Sequence, residues 1–145
     1  MEQRTMNSQY KRVMVIDDTH VDRYIAQQNI RKCEFADEVI LMESAGEAIA
    51  YLNSLTEKND EIPQMIFLDI CMPEKSGFDF LDEYDQLPES VKRHSIIIML
   101  STSLNADDHE RAKNNKYVMK FMNKPLNTDK LKDLLDQIDP KNKAA

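Results

Sequence analysis

The chain has 145 residues, 41% hydrophobic and 31% charged, with 26 acids against 19 bases for a formal net charge of -7. That usage fits one folded globular domain with a sizeable core and excludes both a disordered chain and two packed domains. The acidic balance removes any long-range attraction to nucleic-acid phosphates or anionic lipid and points to cationic or protein partners, with no direct contact to nucleic acid or membrane expected.

The longest strongly apolar run, "SIIIML" at 95–100, is far too short to span a bilayer. The opening "MEQRTMNSQYKR" lacks the apolar stretch of a signal peptide, so the expected compartment is the cytoplasm. Cys33 and Cys71 are the only cysteines, with no C-x-x-C and no histidine at matching spacing, which argues against structural zinc. Reduced thiols fit a cytosolic chain.

Residues 1–10 are polar and lack periodicity, and they read as a loose lead-in to a domain over 11–139. "RVMVID" (12–17) is a continuous apolar run of the kind expected for a strand covered on both faces. "HVDRYIAQQNIRKC" (20–33) reads as a helix with Val21, Ile25, Ile30 and Cys33 inward and Asn29 placed awkwardly beside them. "EVILM" (38–42) is a second strand, and "SAGEAIAYLNSL" (44–55) a second helix capped by Ser44.

After the polar loop "TEKNDEIPQ" comes a third strand, "MIFLD" (65–69). A helix over 77–87 follows, with Phe78, Leu81 and Tyr84 inward, and it ends before Pro88. "SIIIMLS" (95–101) is the clearest buried strand. A mostly polar helix (106–115), a fifth strand (117–123) and a last helix (128–138) with Leu131, Leu134, Leu135 and Ile138 on one face complete the order. Five strands alternating with five helices specify a parallel sheet with helices on both faces, because each crossover helix returns the chain to the same starting edge.

A parallel sheet delivers every strand's carboxyl end to one edge, where ligands bind. Those ends carry Asp17-Asp18, Glu43-Ser44, Asp69, Ser101 and Lys124-Pro125. Each alone reads as a cap or a turn residue. Together Asp17, Asp18, Asp69, Ser101 and Lys124 bring three carboxylates, a hydroxyl and an ammonium to one edge, and carboxylates that close repel one another unless a proton or cation shares the site. Mg2+ takes oxygen ligands and pairs carboxylates with phosphate oxygens. The set therefore points to a metal-bridged phosphoryl group with Asp69 as nucleophile, Ser101 and Lys124 holding its oxygens.

"VIDD" (15–18), "FLDICMP" with "SGFDFL" (67–81), "IIIMLSTS" (96–103) and "NKPL" (123–126) resemble the receiver domain of two-component response regulators, the stand-alone chemotaxis type, over nearly the whole chain. The resemblance implies a doubly wound, flavodoxin-like sheet of order 2-1-3-4-5 and phosphorylation of Asp69 by a sensor histidine kinase or histidine phosphotransferase. It implies Mg2+, with Mn2+ as a substitute, held by Asp17, Asp18, Asp69 and the backbone carbonyl of Cys71. It also implies a cis peptide bond at Pro125, a switch made of Ser101 and Phe121, and a phosphoryl lifetime tuned by Cys71 and Ser103. Such a chain is a phosphoacceptor with self-catalysed transfer and dephosphorylation rather than a turnover enzyme.

Three departures from the family pattern stand out: Ser101 in place of the commoner threonine, Thr102 in place of alanine, and Phe121, an aromatic without the phenol, where tyrosine is often found. The tail "DPKNKAA" (139–145) is too short for an output domain, so the expected effect is docking on a downstream protein. The face of the helix 106–115, the strand 117–123 and the last helix is its expected seat and the candidate surface for a homodimer.

Three other classes fit worse. An aspartate-nucleophile phosphatase would carry a second aspartate where Cys71 stands, and on the first strand. A nucleotide-binding fold needs a glycine-rich loop, and the chain has only Gly46 and Gly77. An interaction module that is never phosphorylated would not need every one of these site residues. A redox role for Cys71 is not expected either, since its acidic neighbours disfavour a thiolate.

Overall fold

The computed structural model describes residues 9–102 and 105–138, except for the side chain of Ile138. Five parallel strands, β1 (Tyr10–Ile16), β2 (Ala36–Met42), β3 (Met65–Asp69), β4 (Ile96–Ser101) and β5 (Val118–Asn123), form one sheet in the order 2-1-3-4-5. The helices are α1 (His20–Lys32), α2 (Ala45–Asn53), α3 (Gly77–Tyr84), α4 (Glu89–His94), α5 (Ala106–Lys113) and α6 (Thr128–Ile138). The fold class and strand order expected from the sequence are those observed.

The central strands carry continuous apolar runs, Val13–Ile16, Met65–Leu68 and Ile97–Leu100, where both of their faces are covered, and the alternation of β3 shows how the core divides. Ile66 and Leu68 point into a layer with Ala48 and Leu52 of α2, Phe80, Leu81 and Tyr84 of α3, and Ala112 of α5. Met65 and Phe67 point the other way, into a layer with Ala26 and Ile30 of α1 and Leu131 and Leu134 of α6. Burying these side chains, each worth roughly 1.5–3 kcal/mol, is what fixes the register that aligns the strand ends.

Local chemistry ends the elements where the site needs them to end. At the close of α1, Phe35 N donates to Ile30 O (3.0 Å) and Glu34 N to Arg31 O (3.1 Å), with Glu34 in the left-handed region at φ 52°. This is a Schellman closure in which the residue after Glu34, Phe35, is fully buried. Ser44 caps α2 by accepting from Glu47 N, and Ser76 with Asp79 forms a capping box that starts α3.

Four details differ from the sequence reading. Val21 is 64% exposed, because α1 buries a narrow stripe centred on Ala26 and Ile30. Ile25 and Cys33 flank that stripe half-buried. A short helix, α4, occupies the stretch after Pro88 that carried no helical pattern; at six residues it offers one buried side chain, Val91, and so leaves no periodicity to read. β1 begins at Tyr10, inside the expected lead-in, and its ring packs on Phe35 with centroids 5.1 Å apart. The rest of that lead-in up to residue 8, and the tail 140–145, lie outside the described residues.

The loop 56–64 is not loose. It contains a 3-10 turn, Asn59–Glu61, and buries Ile62. Arg12 Nη1 donates to Asp60 O (2.8 Å) and Ser90 Oγ to Thr56 O (3.0 Å), tying the loop to β1 and α4. Asn29 resolves its awkward position by donating from Nδ2 to Leu126 O at 2.9 Å, which fastens α1 to the segment between β5 and α6.

Candidate functional site

Parallel register brings the carboxyl ends of β1, β3, β4 and β5 together. Ile16 pairs with Leu68, Asp69 with Leu100, and Ser101 with Asn123, so the residues that end these strands are neighbours on one edge. Asp17, Asp69 and Ser101 are the buried polar side chains among the described residues, at 3%, 4% and 1% exposure. Three polar groups buried at one edge of an otherwise apolar core are costly unless they satisfy one another or a ligand.

Asp17 follows β1 directly and is held from its own loop. Thr19 donates to Asp17 Oδ1 from its backbone N (3.0 Å) and its hydroxyl (2.7 Å). Arg23 Nη1 donates to the Asp17 carbonyl at 2.8 Å. The other carboxylate oxygen, Oδ2, lies 2.7 Å from Lys124 Nζ. Asp18 is exposed. One oxygen from each of Asp17, Asp18 and Asp69 lies within 4.8 Å of the others, a set that could hold a hard divalent cation.

Asp69 ends β3 at the centre of the edge. Its Oδ1 is 3.3 Å from Lys124 Nζ and accepts weakly from Cys71 N at 3.4 Å. Burial first, and the Asp17 charge second, push its carboxyl up to about 6, with Lys124 pulling the other way. The site therefore holds more negative charge than its one ammonium neutralises. An oxygen-rich, buried site with uncompensated charge fits a divalent cation.

The backbone around Asp69 is tight. Gly77 N donates to Ile70 O (2.8 Å), and a Cβ at Gly77 would stand 2.6 Å from the Asp69 carbonyl oxygen and 3.0 Å from Ile70 Cα. Only glycine allows α3 to start that close to the end of β3. The loop between them carries Glu74 at φ 68° and leaves Cys71 exposed at the rim.

Lys124 reaches the cluster from the end of β5, where the Lys124-Pro125 peptide bond is cis and Lys124 N donates to Ser101 O at 3.0 Å. Its side chain is only 12% exposed and contacts three carboxylates: Asp17, Asp69 and Asp22, the last at 2.8 Å. Burial disfavours the ammonium, but the hydrogen bonds to Asp17 and Asp22 outweigh it and raise the pKa. The same contact with Lys124 holds the Asp22 carboxyl low against the opposing effect of burial.

Asp17, Asp18, Asp69, Ser101 and Lys124 thus converge on the one edge, as the strand-end reasoning expects. Phe121 stands farther along β5, paired with Met99, and its half-buried ring lies against His109 of α5 with centroids 4.2 Å apart. His109 and Phe121 share a groove of about 420 Å³ between α5 and β5 with Lys113, Met119 and Lys120. Ser103 lies outside the described residues, and Thr102 before it is exposed. Sequence reasoning passed over Asp22 and Thr19. Asp22 sits in the first turn of α1, five residues beyond Asp17, where an acid also reads as an ordinary partner of the helix dipole.

The family model described as the response regulator receiver domain matches residues 13–136. A two-component response regulator of Oryza sativa subsp. japonica is 36% identical over 90 residues, covering 62% of this chain and 67% of that one. The response regulator Rcp1 of Synechocystis is 30% identical over 99 residues, 68% of this chain and 66% of its own length. The chain thus spans about two thirds of these relatives. Among solved structures, a two-component response regulator from Cytophaga hutchinsonii superposes with a TM-score of 0.80 at 29% identity, covering 88% of this chain and 96% of its own. The Mn2+-bound form of Rcp1 does so at 0.66 and 27%, covering 89% and 91%. No helix among the described residues is long and apolar enough to cross a membrane.

Proposed function

The chain belongs to the response regulator receiver family, and from that premise we propose that Asp69 accepts a phosphoryl group from a phosphohistidine donor in a Mg2+-dependent reaction. Phosphorylation then changes which proteins dock on the chain. The observation that carries this reading is the state of Asp69: a buried carboxylate at the centre of the strand-end edge, pushed up to about 6, with a lysine at 3.3 Å and two further acids beside it.

In the transfer, an Asp69 carboxylate oxygen attacks the phosphorus in line with the departing imidazole. The P–O bond forms as the P–N bond breaks, and the bonding pair returns to the histidine nitrogen of the donor. Asp17, Asp18 and Asp69, with the backbone carbonyl of Cys71, would hold the cation, and the Mn2+-bound form of Rcp1 supports Mn2+ as a substitute. Bound Mg2+ supplies the positive charge that lets a phosphoryl group approach three acids. Lys124 and the Ser101 hydroxyl take the remaining phosphoryl oxygens, and most of the acceleration is positioning.

The switch follows from Ser101. Drawn toward the phosphoryl group, it vacates space that Phe121 can enter, and the groove beside His109 changes shape with it. Phosphorylation can bias only states that bind the phosphoryl group differently. The face of α5, β5 and α6 is therefore the seat for a downstream protein or a second copy of the chain. The donor is a sensor histidine kinase or a histidine phosphotransferase, the setting is the cytoplasm, and Cys71 and Ser103 are the residues that tune the lifetime of the signal.

The direct test is incubation with Mg2+ and acetyl phosphate followed by intact mass measurement. One added phosphoryl group is expected on the native chain and none on Asp69→Ala. An unlabelled native chain, or equal labelling of the variant, refutes the assignment.

A further inference from the structure

Lys124 has three carboxylate partners, and they are not equivalent. Asp17 and Asp69 belong to the group of oxygens that a divalent cation would take, while Asp22 does not. The two oxygens of Asp17 also differ. Oδ1 faces the backbone N–H and hydroxyl of Thr19, and Oδ2 is the oxygen Lys124 contacts at 2.7 Å. On Asp69, likewise, the lysine contacts Oδ1 at 3.3 Å. A cation that draws on these two carboxylates therefore competes with the ammonium for them, and like charges this close repel.

From this geometry we infer that Asp22 is a positioning residue for Lys124, keeping the ammonium over the site when a divalent cation takes the oxygens of Asp17 and Asp69. Asp22 is built for that task. Its Oδ2 receives Lys124 Nζ at 2.8 Å, and it lies 2.8 Å from the Thr19 hydroxyl, whose single proton it shares in alternation with Asp17 Oδ1 at 2.7 Å. Thr19 thus ties the carboxylate that keeps the lysine to the carboxylate that gives it up. An ordinary first-turn acid facing the helix dipole needs neither contact.

The consequence concerns the cation before it concerns any phosphoryl group. With Asp22 present, entry of the cation takes two of three anionic partners from Lys124. Without it, entry takes both of the two that remain, and the last partner of a half-buried ammonium is worth more than the third. Asp22 therefore makes cation entry easier. On the reading of Asp69 as phosphoacceptor, it also leaves Lys124 where a phosphoryl oxygen arrives.

The test is titration calorimetry with Mg2+ alone on four proteins: the native chain, Asp22→Asn, Lys124→Ala and the double variant. Asp22→Asn is expected to weaken Mg2+ binding by about threefold to tenfold in the native background, and by much less when Lys124 is absent, a coupling that separates positioning from simple loss of negative charge. Asp22→Glu, which keeps the charge, is expected to restore most of the affinity. With Mg2+ saturating, Asp22→Asn is also expected to weaken binding of beryllofluoride. Native Mg2+ affinity in Asp22→Asn, or an equal loss in both backgrounds, overturns the inference. Failure of acetyl phosphate to label Asp69 would overturn the phosphoacceptor reading instead, and the Mg2+ titrations would still decide the role of Asp22.

Discussion

Replacing the central carboxylate should make the metal-free protein more stable. The Asp69 carboxyl is pushed from an ordinary 3.8 to about 6 by burial and by Asp17. Between those values the folded state binds more protons than the unfolded one, so the stability of the native chain falls as pH rises through that window. Above pH 6 the full penalty applies. At about 1.36 kcal/mol per pH unit it reaches about 3 kcal/mol.

Asp69→Asn keeps the shape and removes the charge. In urea unfolding followed by far-ultraviolet circular dichroism, with a chelator present at pH 8, the variant should be more stable by about 1 to 3 kcal/mol. The value of about 6 already includes the pull of Lys124, so the lower figure allows only for the poorer fit of an amide among groups arranged for a carboxylate. At pH 4.5 the native carboxyl is mostly protonated in the folded state, and the advantage should shrink to about 1 kcal/mol or less. Mg2+ should then remove most or all of that advantage at pH 8, since a cation at a hundred times its dissociation constant adds about 2.7 kcal/mol to the protein that binds it. A variant no more stable than the native chain at pH 8, or an advantage independent of pH, would refute the claim that charge crowding at Asp69 is what the site resolves by binding a cation.

Gly77→Ala should destabilise by roughly 1–3 kcal/mol in the same unfolding assay, because the new methyl meets the Asp69 carbonyl at 2.6 Å, and it should slow labelling by acetyl phosphate by moving the acceptor itself. Glu34→Gly should stabilise by about 1 kcal/mol, since glycine adopts φ 52° without the steric cost that glutamate bears there. Cys71→Asn should change the decay rate of the phosphorylated protein severalfold, measured by loss of the added phosphoryl mass; an unchanged rate would remove Cys71 from the hydrolytic site.

What the sequence made legible followed from periodicity and position. The runs at Val13–Ile16, Met65–Leu68 and Ile97–Leu100 are apolar on both faces, so they read as strands covered on both sides, and the parallel order then determines which edge collects Asp17, Asp69, Ser101 and Lys124. The features that escaped lack a pattern of their own. α4 has one buried side chain, Val91, and a helix that buries one residue has no period. Val21 looked like part of an apolar stripe, but the stripe of α1 is set by small Ala26 and by Ile30, and the packing partner that decides this, α6, is about a hundred residues away.

Asp22 escaped for a different reason. Its chemistry is visible only when the end of β5 is folded against the start of α1, because the contact that matters joins residues 22 and 124. Strand-end reasoning finds the groups each strand delivers to the edge and is blind to a side chain that enters from a helix. The edge then shows three acids and one lysine, and the lysine looks like a free cation waiting for phosphate. With Asp22 included, the same lysine is a shared counter-ion whose release has to be arranged. That changes which residues should set the metal affinity of the site: the carboxylates that would hold a cation, and also the one that would receive the lysine a cation displaces.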